Sequence, residues 1–308
     1  MSISIVFPGQ GSQTIGMMAD LAEQHSVVKD LYVEASDVLG VDLWSMTQHG
    51  NIEELSKTEN TQPALLTAGV AAWRVWQQHE GEKPAILAGH SLGEYTALVC
   101  ADALSFADGV ALVRDRGRYM QDAVPQGQGG MAAIIGLDDQ VVIEVCDKAS
   151  EGEVLQAVNF NAPGQVVIAG TAAAIERAID LMKDAGARRA MQLPVSIPAH
   201  SALMTPASER LSERISSIKI SMPEIPVLHN CNVSVATSAE EIAANLVTQL
   251  DSPVRWVESI EKIHQQGVDT FIESGPGRVL CGMIKRIAKG VNVGCLEKPQ
   301  AYSELITS

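Results

Sequence analysis

The chain has 308 residues, of which 46% are hydrophobic and 19% charged, and its net charge is −15. That size and composition suit a globular protein with one large domain, or a large domain carrying a smaller insert. The charge excludes generic nucleic-acid binding, which needs a basic surface, and disfavours adhesion to anionic membranes.

No stretch approaches the roughly 18 uninterrupted apolar residues of a membrane span, and no basic segment precedes a long apolar run at the N-terminus. The expectation is a cytoplasmic protein with neither membrane nor nucleic-acid partners. Cys100, Cys146, Cys231, Cys281 and Cys295 are scattered without a C-x-x-C pair. They read as small core residues, with no disulfide framework and no metal site. Few aromatics and abundant Gly, Ala and Val favour layered α/β packing.

The first element is a buried strand at Ile3–Phe7, which runs into the turn-rich Pro8-Gly9-Gln10-Gly11-Ser12-Gln13-Thr14 and a helix opening near Met17. The loop is neither a phosphate-binding lysine loop nor a dinucleotide fingerprint, so its use is to present backbone N–H groups. Helical periodicity covers 27–40 and 60–79, the second starting at Asn60-Thr61-Gln62-Pro63 with proline in its first turn. Trp73 and Trp76 near its end read as packing residues.

The apolar run at 84–88 then leads into Gly89-His90-Ser91-Leu92-Gly93 and a helical pattern at 94–100. A serine centred in G-x-S-x-G between strand and helix is a nucleophile elbow, with the helix N-terminus available to stabilise an oxyanion. Ser105 caps a further helix to Ala123, along which Arg114, Arg116 and Arg118 have the spacing usual for a solvated face.

Pro125-Gln126-Gly127-Gln128-Gly129-Gly130 reads as a linker. Beyond it come a strand at 131–136, a helix at 138–150, strands at 154–159 and 165–170, a helix at 172–186 and a strand at 188–195. This βαββαβ order predicts a ferredoxin-like insert at 127–196, closed by Pro194-Val195-Ser196-Ile197-Pro198, within a discontinuous large domain at 1–126 and 197–308.

The chain re-enters the large domain at Ala199-His200-Ser201, where a histidine after a proline-fixed turn can face a cleft between domains. A strand at 227–231, helices at 240–249 and 253–266, a strand at 270–273, a helix to Lys289 and a strand at 291–295 complete it. Strands alternating with helices predict a mainly parallel sheet covered on both faces, an α/β-hydrolase-like large domain. An acidic partner would need a local basic patch, and Lys285, Arg286 and Lys289 form the best one, ahead of Arg188-Arg189.

Ser91 becomes a useful nucleophile if His200 accepts its proton and later returns one to the leaving group. The other imidazole nitrogen needs a partner, either the carboxylate of Asp251 or a backbone carbonyl of the loop that carries it.

Phe7 through Gln13, Gly89 through Tyr95, the Arg116-Gly117 step, Asn161-Ala162-Pro163-Gly164-Gln165, Pro198-Ala199-His200 and 249–256 occur in this order. Together they resemble the bacterial malonyl-CoA:acyl carrier protein transacylases of type II fatty acid synthesis, over almost the entire chain. The resemblance implies a ping-pong transfer of malonyl from malonyl-CoA through an ester on Ser91 to the phosphopantetheine thiol of acyl carrier protein. His200 would be the base and acid, its second nitrogen held by the main-chain carbonyl of Gln249. The amides of Gln10 and Leu92 would form the oxyanion hole, Arg116 would pair with the malonyl carboxylate, and Asn161 would add polar contacts on the insert's side of the cleft. No cofactor is implied, because the CoA thioester is a substrate and phosphopantetheine belongs to the carrier.

Two other readings compete. A serine thioesterase or esterase would use the same Ser91-His200 pair with water as acceptor; Arg116, the lack of an unambiguous acidic third member and an insert unlike a usual hydrolase lid weigh against it. A carrier-docking subunit with a vestigial site would not need both Ser91 and His200 in such contexts.

Overall fold

Every residue of Ile3–Phe7 (β1) is buried, and four of the five are apolar, a run that suits a central parallel strand covered on both faces. In the computed structural model, which describes residues 2–195 and 197–307, β1 is indeed central. Ser196, in the expected proline-marked return, lies outside the described residues.

From β1 the chain runs through Ala19–Gln24 (α1), Ser26–Leu39 (α2), Leu43–His49 (α3), Ile52–Leu55 (α4) and Thr58–Gln78 (α5) to Ile86–Gly89 (β2), Leu92–Cys100 (α6) and Phe106–Ala123 (α7). Gly129–Ile135 (β3), Asp139–Ser150 (α8), Leu155–Ala162 (β4), Gln165–Thr171 (β5), Ala172–Asp184 (α9) and Arg189–Gln192 (β6) make the smaller unit. The chain then continues through Thr205–Ile215 (α10), Val227–Leu228 (β7), Ala239–Leu250 (α11), Trp256–Gln265 (α12), Thr270–Glu273 (β8), Val279–Ile287 (α13), Asn292–Cys295 (β9) and Pro299–Thr307 (α14).

Among the described residues the large sheet has the order β7-β2-β1-β8-β9 and is wholly parallel. Alternation along the strands feeds two cores. Ile5, Phe7, Leu87 and Ile272 share one with α5 and α6, while Val6, Ile86, Ala88 and Phe271 pack with Trp256 and Ile260 of α12 and Ile284 of α13.

The small sheet is antiparallel in the order β4-β5-β3-β6, the split βαβ arrangement expected from the sequence. Ile134, Val166 and Ile168 pack under α8 and α9, and Met131, Val158, Val167 and Ala169 line the opposite face with Leu193 and Ala199. Strand β4 also bonds the large domain directly. Phe160 N–H donates to Val254 O at 3.1 Å, and Val254 N–H to Val158 O at 2.8 Å.

Several boundaries differ from those read in the sequence, each for a local reason. Helix α5 starts at Thr58, so Pro63 sits past the first turn, where its missing N–H leaves one i→i−4 bond unmade, and Thr61 Oγ and Asn60 Nδ2 serve the carbonyls of Leu55 and Glu54 ending α4. The segment at 253–255 is not helical, because Val254 is taken up by β4. Strand β7 stops at Leu228, since His229 and Asn230 turn to bond the side chain of Glu94. Helices α3, α4 and α14 are too short to announce themselves by periodicity. Among the described residues no helix is long and apolar enough to cross a membrane.

Candidate active site

Ser91 sits between β2 and α6 with φ 52° and ψ −107°, in the left-handed half of backbone space. For a residue with a side chain this costs about 1–3 kcal/mol unless the surroundings hold it. The turn is tight enough to forbid side chains on either side. A Cβ on Gly89 would lie 1.8 Å from the carbonyl carbon of Gly93, and one on Gly93 would lie 2.0 Å from Phe7 O.

The holding groups come from distant segments. Asn230 Oδ1 accepts the Ser91 N–H at 2.7 Å while Asn230 Nδ2 donates to Gly89 O at 2.7 Å. Gln249 Nε2 donates to Ser91 O at 3.0 Å.

His200 also has a left-handed φ, 64°, and is 3% exposed. Its Nδ1–H donates to the main-chain O of Gln249 at 2.8 Å, which leaves the Nε2 lone pair to accept the Ser91 hydroxyl at 2.7 Å. Burial, reinforced by the Arg116 charge, lowers its pKa to about 3, so the imidazole is a free base throughout the neutral range. Of the two partners left open by the sequence, the carbonyl is the one in contact. Asp251 instead accepts bonds from Thr205 Oγ and Ser208 Oγ.

Of the three arginines on α7, only Arg116 enters the site. Arg118 pairs with Glu59, whereas Arg116 is 1% exposed. Its Nη1 donates to Gln62 Oε1 at 2.8 Å, and its Nη2 to Gln249 Oε1 at 3.0 Å and to Ser91 Oγ at 3.2 Å. Because the guanidinium can only donate, the Ser91 proton must point to His200. Among the described residues no carboxylate lies within ion-pairing distance of Arg116, and its Nε has no acceptor. Burial lowers its pKa from the ordinary arginine value. A buried cation without an anion is costly, and a carboxylate of the right reach would relieve that cost.

Gln10, in the loop after β1, and Leu92, the first residue of α6, lie just beyond the C-terminal ends of the adjacent strands β1 and β2, joined where His90 N–H donates to Phe7 O at 3.0 Å. Among the described residues neither of their amide N–H groups has an acceptor. Both line a cavity of about 240 Å³ with Ser91, Arg116, Asn159 and His200. Asn161 is 5% exposed, and its Oδ1 accepts from His90 Nε2 at 2.8 Å. The asparagine lining the cavity is Asn159, whose Oδ1 has no partner among the described residues.

Glu94, Asn230 and Gln62 escaped the sequence reading. The available signal was polarity within an apolar pattern, with a single acid in the Leu92–Cys100 helix and buried Gln62 in the first half of α5. Cys100, Cys146 and Cys281 are buried, while Cys231 and Cys295 are partly exposed, and desolvation still raises the pKa of those two to about 11. Among the described residues no cluster of His, Cys, Asp or Glu could hold a metal ion. Lys285 and Lys289 are exposed on or just beyond α13, while Arg286 is committed to the small domain through Gln165 Oε1 and Pro163 O.

A serine, a neutral imidazole and a carbonyl in line, beside an unpaired buried guanidinium, define a site able to carry an acyl group on serine. The family model for the acyl transferase domain matches residues 5–294. The malonyl CoA-acyl carrier protein transacylase of Salmonella typhimurium is 53% identical over 304 residues, 99% of this chain and 98% of that protein; the Bacillus subtilis one is 46% identical over 97% of this chain and 94% of its own length. An acyl carrier protein S-malonyltransferase of Vibrio cholerae has a crystal structure that superimposes with a TM-score of 0.97 at 52% identity, covering 99% of this chain and all of that one. A malonyl-transacylase solved in complex with a type II PKS acyl-carrier protein superimposes with a TM-score of 0.98 at 49% identity, covering 100% of this chain and 99% of its own. The chain belongs to the acyl transferase family, among its malonyl CoA-acyl carrier protein transacylases.

Proposed function

We propose that the protein transfers malonyl from malonyl-CoA to the phosphopantetheine thiol of acyl carrier protein, feeding fatty acid synthesis. The observation that carries this reading is Arg116, buried beside Ser91 Oγ without a carboxylate partner among the described residues. The names of the relatives support the choice of donor and acceptor.

In the first half-reaction Ser91 Oγ attacks the thioester carbonyl while His200 Nε2 takes its proton. The amides of Gln10 and Leu92 receive the oxyanion, the C–S bond breaks, and His200 protonates the departing CoA sulfur. The carrier thiol then gives its proton to His200 and attacks the Ser91 ester, and the proton returns to Ser91 as its oxygen leaves. Gln249 O keeps the Nδ1–H tautomer throughout. Arg116 grips the far carboxylate through parallel charge-assisted bonds. Its charge opposes protonation of His200, and a bound carboxylate cancels that opposition, so malonyl makes the base stronger at the step that needs it. Asn161 acts on the insert's side by fixing the His90 ring at the cavity wall.

The insert spans 127–196 and the large domain 1–126 and 197–308, consistent with separate apolar clusters for each. Carrier protein docks near Lys285 and Lys289, with Arg286 holding the small domain beside them. The unpaired thiols suit the reducing cytoplasm, the proposed address.

The test is intact-protein mass after brief exposure to malonyl-CoA or acetyl-CoA, followed by holo carrier protein. Transfer predicts a malonyl adduct on Ser91 that resists water and leaves for the carrier. Equal decay of either adduct without carrier would instead indicate a hydrolase.

A further inference from the structure

We infer that Glu94 is a positioning residue for this reaction: its buried carboxylate fixes the side chain of Gln249, and through it the guanidinium of Arg116, in readiness for the substrate's carboxylate. The inference rests on Arg116 being that carboxylate's partner.

Glu94 lies in the first turn of α6 and is 0% exposed. Its Oε1 accepts from His229 Nδ1 at 2.7 Å, and its Oε2 from the Asn230 N–H at 2.9 Å and Gln249 Nε2 at 2.9 Å. The same Gln249 nitrogen donates to Ser91 O, and Gln249 Oε1 accepts from Arg116. A guanidinium offers only donors and a carboxylate only acceptors, so one orientation of the Gln249 amide satisfies both ends. Glu94 and Arg116 are thereby opposite charges with one amide dipole between them, each polarising it in the same sense.

The one-amide separation has a chemical consequence. A carboxylate placed directly on Arg116 would occupy the seat meant for substrate. Displaced behind Gln249, the negative charge steadies the buried guanidinium while leaving that seat open. Through Asn230, whose side chain spans Ser91 N–H and Gly89 O, the same carboxylate ties the guanidinium to the elbow.

Glu94→Gln keeps the shape but removes the charge and sets an NH2 donor where one carboxylate oxygen accepted. The expected result is a folded protein whose malonyl-to-acetyl loading ratio on Ser91 falls by about tenfold, the scale of one charge-assisted bond. A purely structural role would lower melting temperature and both loading rates together, leaving the ratio unchanged; a folded Glu94→Gln protein with the wild-type ratio overturns the inference. Should that variant not fold, Gln249→Met interrupts the relay while keeping the main-chain carbonyl on His200, and it is expected to lower the ratio similarly. An unchanged ratio there also overturns the inference. Arg116→Ala, measured alongside, separates the two levels: if it leaves the ratio unaltered, the assignment of Arg116 itself fails.

Discussion

The two walls of the cleft are built from different forces. On the large-domain side Glu94, Arg116, Asn230 and Gln249 are all buried, and hydrogen bonds of 2.7–3.2 Å join them to one another and to Ser91. On the small-domain side the cavity is lined by Met131, Leu193, Pro194 and Val195, and its polar contribution comes from Asn159. A buried polar network is directional and has little slack, whereas apolar packing sets how closely the walls approach without dictating where a proton goes. Chemistry should therefore fail sharply when the first wall is altered, and stability or access should fail when the second is.

The strongest break is Ser91→Ala, expected to lower malonyl transfer by about 10⁴-fold or more and to abolish the mass adduct. A surviving adduct would place the acyl group elsewhere. Next is Arg116→Ala, for which malonyl loading should drop by about 10²–10³-fold and acetyl loading much less. Competition between the two CoA thioesters reads this directly.

The other wall is probed by Ile168→Ala, which empties a fully buried site in the small-domain core. It should cost about 2–5 kcal/mol in denaturant unfolding of that unit. Acyl selectivity should stay unchanged, and a shift in the malonyl-to-acetyl ratio would show that the small domain participates in recognising the carboxylate.

The pH response sharpens the comparison further. Because burial depresses His200 from 6.5 to about 3, the unfolded chain binds a proton that the native one refuses as pH falls from 6.5 towards 3. This group thus contributes falling stability below pH 6.5 and no change above it. Ser91 labelling should likewise show no acid limb centred on pH 6.5; a limb there would mean that the imidazole titrates as an exposed one does. The smallest expected effect belongs to Lys285→Glu with Lys289→Glu. It should raise the KM for carrier protein by about threefold or more while leaving malonyl loading untouched. An unmoved KM would locate docking elsewhere.

Much of this architecture was legible before any coordinates. The Gly89-to-Gly93 turn, the βαββαβ insert and the alternation of strand and helix are local patterns with local causes, namely turn sterics, periodicity and linker composition. Arg116 was legible only through resemblance, since its neighbours Arg114 and Arg118 share its spacing while Arg118 forms an exposed ion pair. Glu94 and Asn230 stand 136 residues apart and meet only because α6 packs beside the end of β7.

By itself the amino-acid sequence determined most of the elements, the Ser91 turn and the glycines that turn cannot do without, because those depend on residues close along the chain. Only the tertiary structure decided that a carbonyl and not Asp251 holds His200, that Arg116 and not its neighbours on α7 reaches Ser91, and that Arg286 braces the small domain. These outcomes depend on which distant groups share a desolvated volume, and burial, not residue type, determines what a charge or a lone pair can do there.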